Sequence, residues 1–338
     1  MSKIRNWLVT SAALSATLVM SAILSGQASA QSKTASVAQS GNEFALALYG
    51  QLAAAQQDEN LFFSPASIST ALAMAYGGAE GTTADEMRKT LRFELEGEPL
   101  HEAMGRLTRS LSAREAGYEL ALANALWGQK GYPFLKSFLE LNRKHYDSRI
   151  EELDFKNAVE NSRNTINRWV EQTTNDRIQD LLPPGSVSPA TRLVLTNAIY
   201  FKGDWKLQFD PEHTRSETFH VTPANGVQVP LMHLREQRFR YTNQGDLQVL
   251  ELPYVGERIS MVVLLPDEAL GLERFERSLT LSNLERWIES LSPRKLDDIA
   301  LPRFKATTQY ELTSSLQSLG MKTAFCTGWV ASQSGMAG

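Results

Sequence analysis

Leu193-Val194-Leu195-Thr196-Asn197-Ala198-Ile199-Tyr200-Phe201 is almost continuously apolar and carries one carboxamide near its centre. A run of this kind, set off from the preceding region by Pro183-Pro184-Gly185, reads as a core strand covered on both faces. Side chains alternate along a strand, so Asn197 shares a face with Leu195 and Ile199. An unpaired amide on such a face would cost about 2–7 kcal/mol, so Asn197 needs polar partners.

Ser64 and Ser67 are candidates for that role. Asn60-Leu61-Phe62-Phe63 reads as a short buried strand ending at Ser64-Pro65. There a serine N-cap and a proline at the first helical position open a helix that runs to about Tyr76 and stops at Gly77-Gly78. Its sides carry Ala, Ile, Leu and Met almost all round, the composition of a helix inside a domain. The two hydroxyls at its start could answer Asn197. The plainer alternative is that Ser64 only caps the helix and Ser67 only fills a small gap.

Upstream, Phe44, Leu48 and Leu52 recur at helical spacing and predict an amphipathic helix over Asn42–Gln56 with Asn42 as N-cap. Thr83-Ala84-Asp85-Glu86 matches a capping box ahead of Met87 and Leu91. Leucines alternating through Asn124 predict a long strand over 118–128. Helices follow over Leu135–Tyr146 and Asn161–Gln172, the latter with Ile166, Trp169 and Val170 as its stripe. Leu247–Leu252 and Ile259–Leu265 form a hairpin around Pro253-Tyr254-Val255-Gly256-Glu257, Leu270–Leu291 returns to helical spacing, 299–310 is a further strand and Leu312–Leu319 a short helix. With no fixed-period repeat and no linker after residue 41, the expectation is one α+β domain over 42–338, preceded by a polar linker at 31–41.

Residues 1–30 read as a removable leader. Lys3 and Arg5 precede an uncharged stretch from Trp7 to Leu24, and Ala28-Ser29-Ala30 fits a cleavage site, so the mature chain should begin at Gln31. A membrane anchor is the alternative, since the stretch is near the lower length limit for spanning. Leu24-Ser25-Gly26-Gln27, just after the apolar run, has no cysteine, which excludes a lipid anchor there. The expectation is a secreted or periplasmic protein without a stable membrane anchor. Of 338 residues, 42% are hydrophobic and 21% charged, which excludes disorder and fibrous repeats. The formal charge of −4 becomes −4 − 2 = −6 without Lys3 and Arg5, which disfavours nucleic-acid partners. Cys326 is the only cysteine, so neither an intramolecular disulfide nor a cysteine-based metal site is available.

Enzyme motifs fail one by one. There is no Gly-x-Ser-x-Gly elbow, phosphate loop, His-Glu-x-x-His or Gly-x-Gly-x-x-Gly. His101, His145, His213, His220 and His233 lack metal-ligand spacing, and each reads as a surface or capping residue. No catalytic residue, metal or cofactor is expected. A hydrolase assembled from distant Ser, His and Asp residues is a remote alternative without positive support.

Several segments carry a resemblance. Asn60 to Ile68, then Leu195-Thr196-Asn197-Ala198-Ile199-Tyr200-Phe201-Lys202-Gly203-Asp204-Trp205, resemble the two most recognisable segments of the serpins, the serine protease inhibitors. Gly77 to Thr83, Phe209-Asp210-Pro211 with Thr214, and Leu252-Pro253-Tyr254 are similar to further serpin segments in the same order. The likeness runs from about Asn42 to Met321. It implies a serpin-like fold of three β-sheets and about nine helices. It also implies a mechanism in which a protease cleaves an exposed loop, is held as an acyl-enzyme, and is distorted as the loop inserts into a sheet. By resemblance Ser64, Ser67 and Asn197 map to the polar shutter where the sheet parts, and Trp205 to the breach where insertion begins. These are conformational-control residues. The implied partner is a serine or cysteine endopeptidase, and the protein is otherwise expected to be a monomer.

The sequence departs from the family after Met321. The family continues with a sheet strand, a hinge, the reactive loop and closing strands. Here Phe325 and Ser334-Gly335-Met336 are similar to the next motif, whereas Cys326 to Gln333 match it poorly, and the 338 residues end at Gly338. The expectation is an incomplete member that lacks the reactive bond and is inactive as it stands. A non-inhibitory serpin-like protein is the alternative. The family's shutter also uses a histidine from the absent segment, so Ser64, Ser67 and Asn197 would have to bond water or one another.

Overall fold

The computed structural model describes residues 25–56, 59–111, 118–174, 176, 178–222, 225–267, 271–304, 310 and 312–325. Helix α1 (Ser25–Ala55) starts 42 − 25 = 17 residues earlier than expected. The stretch 31–41 is therefore helical where a linker was expected, and Asn42 is interior where a cap was expected. The cause is tertiary. Val37 and Ser40 are buried, Arg106 Nε donates to Thr34 Oγ1 at 3.3 Å and Ser36 Oγ to Glu94 Oε2 at 3.1 Å. Packing of this kind outweighs weak intrinsic propensity. Most of the expected leader, residues 1–24, lies outside the described residues, and Ala28-Ser29-Ala30 falls in the first two turns of α1. Among the described residues no helix is long and apolar enough to cross a membrane.

Helix α2 (Pro65–Tyr76) forms as read, with Ser64 Oγ accepting from Ser67 N at 3.3 Å and Pro65 at the first position. Residues 60–63 ahead of it form no strand, against expectation. Phe62 N donates to Tyr310 Oη at 3.0 Å, and the Phe62 side chain stands exposed. Helix α3 (Gly81–Thr90) starts before the expected capping box, so Thr83 is interior and buried. Helix α4 (Gly97–Leu111) was not anticipated, although Leu100, Ala103 and Met104 stand at helical spacing. With α5 (Lys136–Tyr146) these helices enclose the largest core, built on Phe44, Leu48, Met74, Met87, Leu91 and Leu100.

Strands β1 (Tyr118–Gln129) and β2 (Arg149–Leu153) run parallel. After helix α6 (Val159–Thr173), β3 (Leu193–Gly203) pairs with β1 antiparallel from Tyr118↔Gly203 to Gly128↔Leu193. Alternation decides what covers β1. Leu126 enters the helical core, while Ala125 and Trp127 face the other way, into a cluster with Phe155 and Ile166 beneath α6. This three-stranded sheet is thus sandwiched between helical layers.

The remaining strands are β4 (Arg215–Thr222), β5 (Asn225–Asn243), β6 (Leu247–Pro253), β7 (Ser260–Pro266) and β8 (Ser292–Pro302). The β6–β7 hairpin has the expected partners, Leu247↔Pro266 to Pro253↔Ser260. The nineteen-residue β5 serves two sheet halves. Residues 225–231 pair with β4, residues 240–243 with β6, and β8 runs along the opposite side from Leu231 to Tyr241. Glu236, at φ 51°, lies between the halves. The helical spacing expected over Leu270–Leu291 resolves into α7 (Leu272–Ser278) and α8 (Leu281–Glu289), split where Thr280 caps α8. Strand β8 begins 299 − 292 = 7 residues before the expected strand, because exposed Pro293, Arg294 and Lys295 hide its start. Helix α9 (Thr313–Ser318) completes nine helices among the described residues. The architecture is α+β.

Candidate functional site

The candidate surface is the β1–β3 pair, where the polar residues singled out from the sequence lie. Among the described residues β3 has a ladder partner on one side only, and an unfilled strand edge is a template for another strand. The paired side is tied firmly. Trp127 Nε1 donates to Thr196 Oγ1 at 2.9 Å, with both side chains buried, and Trp169 of α6 packs edge-on against Trp127. Any strand joining this sheet at β3 therefore arrives on the edge away from β1.

The polar residues singled out from the sequence lie at this pair. Asn197 sits opposite Asn124 across the ladder, and its side chain is outside the described residues. Ser64 and Ser67 are half-buried at the start of α2, the helix that packs on β3. Ser64 acts as the cap of its own helix. Asn124 escaped notice, although it interrupts the β1 leucines as Asn197 interrupts the apolar run of β3. It is buried, and its Nδ2 donates to Tyr146 O at 3.3 Å.

Beneath Tyr146 lies a second polar group. Tyr146 Oη and His101 Nδ1 are hydrogen-bonded at 2.6 Å, and burial raises the phenol pKa. Burial, helped by nearby His145, pushes His101 down to about 4. The expectation that the histidines are surface residues fails for three of them. His101 and His145 are buried between α4 and α5, with His145 Nε2 2.8 Å from Glu98 Oε1. His233, on β5, is buried with Nδ1 3.0 Å from Asp298 Oδ2. Its Nε2 is 3.3 Å from Glu217 Oε1, without the alignment of a hydrogen bond. Partners from distant segments make burial affordable, and spacing along the chain does not show them. Cys326 lies outside the described residues.

At the far end of β3, Trp205 forms an isolated bridge with Tyr254. The Phe201 ring meets Tyr254 edge-on, with centroids 5.0 Å apart, and is 40% exposed. The strand covered on both faces thus emerges at this end. Burial lifts Tyr254 to about 12. The arrangement offers a strand edge, an aromatic stack at one end and a helix N-terminus beneath it.

The family model described as serpin (serine protease inhibitor) matches residues 39–337. The chain belongs to the serpin family. Serpin B6 of Macaca fascicularis is 41% identical over 295 residues, covering 86% of this serpin and 78% of the relative. The leukocyte elastase inhibitor of Homo sapiens is 41% identical over 305 residues, covering 87% and 79%. Among solved structures, ovalbumin of the emu, Dromaius novaehollandiae, superposes with a TM-score of 0.82 at 32% identity, covering 85% of this serpin and 78% of that chain. The fold is that of the serpins.

Proposed function

We propose that this serpin is an exported inhibitor of serine endopeptidases, with cysteine endopeptidases as a second target class, and that it acts by inserting a cleaved loop as a new strand beside β3. The observation that carries the reading is the β3 edge, open among the described residues while its other side is tied by Trp127 and Thr196. The likeness to a protein named leukocyte elastase inhibitor supports a serine protease as the partner. Ser64, Ser67 and Asn197 act as the shutter, Trp205 as the breach, and no residue of the chain acts as a catalyst. Export rests on the leader and on Ala28-Ser29-Ala30, which leaves Gln31 as the first residue.

Cys326 to Gln333 match the family's next motif poorly, and residues 31–338 by themselves are expected not to trap a protease. Purified 31–338, mixed with trypsin-, chymotrypsin-, elastase- and subtilisin-like enzymes, should give no denaturant-resistant covalent band and should be degraded. A stable complex with any of them refutes this. For export, N-terminal sequencing of protein recovered outside the cytoplasm should begin at Gln31, and an intact Met1 there contradicts the leader.

A further inference from the structure

Helix α3 grips the chain where it leaves α9. Glu86 and Thr90 stand four residues apart and so share one face of α3. The Glu86 carboxylate accepts from Lys322 N at 2.8 Å and Thr323 N at 2.6 Å on one oxygen, and from Thr323 Oγ1 at 3.0 Å on the other. One turn on, Thr90 Oγ1 donates to Leu319 O at 3.3 Å. Between these contacts Gly320 has φ 118°, and a Cβ there would lie 3.4 Å from Thr90 Oγ1. Met321 is buried in the helical core beside Leu316. Residues 319–323 are thus held by an apolar plug and by four hydrogen bonds to two residues of one helix.

None of the three Glu86 contacts is local. The amides of Lys322 and Thr323 open the 3₁₀ turn Thr323–Phe325 and would otherwise lack acceptors within that turn. Glu86 caps the turn from another helix, with charge-assisted bonds that are stronger and more directional than neutral ones. Two adjacent amides aimed at one carboxylate fix the heading of the chain as well as its place.

We propose that Glu86 is a positioning residue for loop insertion, setting the point and heading at which the chain leaves the turn Thr323–Phe325. This rests on the loop-insertion reading. Met321 and Thr90 hold the segment in place, and Glu86 aims it. The grip is complete at neutral pH. The bond from Thr323 N is the main cause that holds the Glu86 carboxyl below its usual range, and Lys322 is the charged group facing it. The folded pKa is the depressed one, so the grip is lost as pH falls through it.

Backbone amide exchange on the 338-residue chain tests the grip. At pH 7, Glu86→Ala should speed exchange at Lys322 and Thr323 about tenfold while leaving Leu126 and Trp127 of β1 protected. Glu86→Gln, which keeps an acceptor oxygen, should lie between. After correction for intrinsic rates, wild-type protection at these two amides should fall on acidification through and below the ordinary carboxylate range, and Glu86→Gln should show no such response. Unchanged protection in Glu86→Ala overturns the proposal, as does a pH response that survives in Glu86→Gln. If Glu86→Ala loses protection in β1 as well, Glu86→Gln and its pH profile decide. The aiming role is read in a chain continued by any coding sequence beyond Gly338, as the share of protease encounters that end in a covalent complex. A wild type that never traps fails the loop-insertion reading, whereas equal trapping by wild type and Glu86→Ala fails this proposal alone.

Discussion

Trp205 lies flat on Tyr254, with ring centroids 4.4 Å apart and planes 13° from parallel. The stack joins the segment leaving β3 to the segment leaving β6, and Lys206 N donating to Pro253 O at 3.0 Å reinforces it. An offset aromatic pair contributes roughly 0.5–1.5 kcal/mol beyond the area it buries. The consequence is a rigid end to β3, placed where the proposed insertion begins.

That rigidity predicts the effect of a small change. A Cβ on Gly203 would sit 2.6 Å from Tyr254 Cδ1 and 3.0 Å from Phe201 Cζ. The stacked tyrosine cannot yield, so Gly203→Ala should destabilise the protein by about 1–3 kcal/mol, as overpacking does. Tyr254→Ala alone should cost more, yet Gly203→Ala made in that background should cost little. Urea midpoints of the four proteins give the cycle, and additive costs would show that Tyr254 is not what holds residue 203 to glycine.

A second cycle tests the tie between β1 and β3. Thr196→Val strands the buried Trp127 N–H, and Trp127→Phe strands the Thr196 hydroxyl, each at about 1–3 kcal/mol. The double variant strands neither and should be less destabilised than the sum by at least about 0.5 kcal/mol. Strict additivity in chemical denaturation would mean that the bond contributes nothing to the pairing.

Stability should also depend on pH through His101. Its folded pKa of about 4 lies below the ordinary 6.5, mainly because of burial. The unfolded chain therefore takes up a proton that the folded chain refuses. The His101 contribution is complete above about pH 6.5 and is lost progressively as pH falls from there toward 4, by roughly 3 kcal/mol in all. His101→Gln does not titrate and should flatten this part of the profile. Denaturant midpoints between pH 7.5 and 4 check it, and parallel profiles for the two proteins would remove His101 from the explanation.

Much of this fold was legible in periodicity. The apolar run of β3, the serine and proline that open α2, and the hairpin of β6 and β7 are local patterns, and they form where they were read. What escaped depends on distant partners. The early start of α1 needs α4 behind it, through Arg106 and the buried Val37. The span of β5 across both halves of its sheet needs β4, β6 and β8 in place. At the site, Asn197 drew attention as a polar residue on an apolar face, and by the same logic Asn124 should have. Tyr254 sat in an anticipated turn, but its stack on Trp205 joins positions 254 − 205 = 49 residues apart. The buried histidines were misread for the same reason, since Tyr146, Glu98 and Asp298 reach them only in the folded chain.

In the proposed function this chain traps a protease by taking a cleaved loop into the sheet beside β3. Where the coding sequence runs on past Gly338, the continued protein, incubated with an elastase- or trypsin-like enzyme and resolved under denaturing conditions, tests it most directly. A trapping serpin gives a covalent band at the summed mass of the two proteins, and the band is absent when the catalytic serine of the enzyme is blocked beforehand. A continued protein that folds and is simply cut, with no such band, contradicts the account and makes this a serpin that does not inhibit.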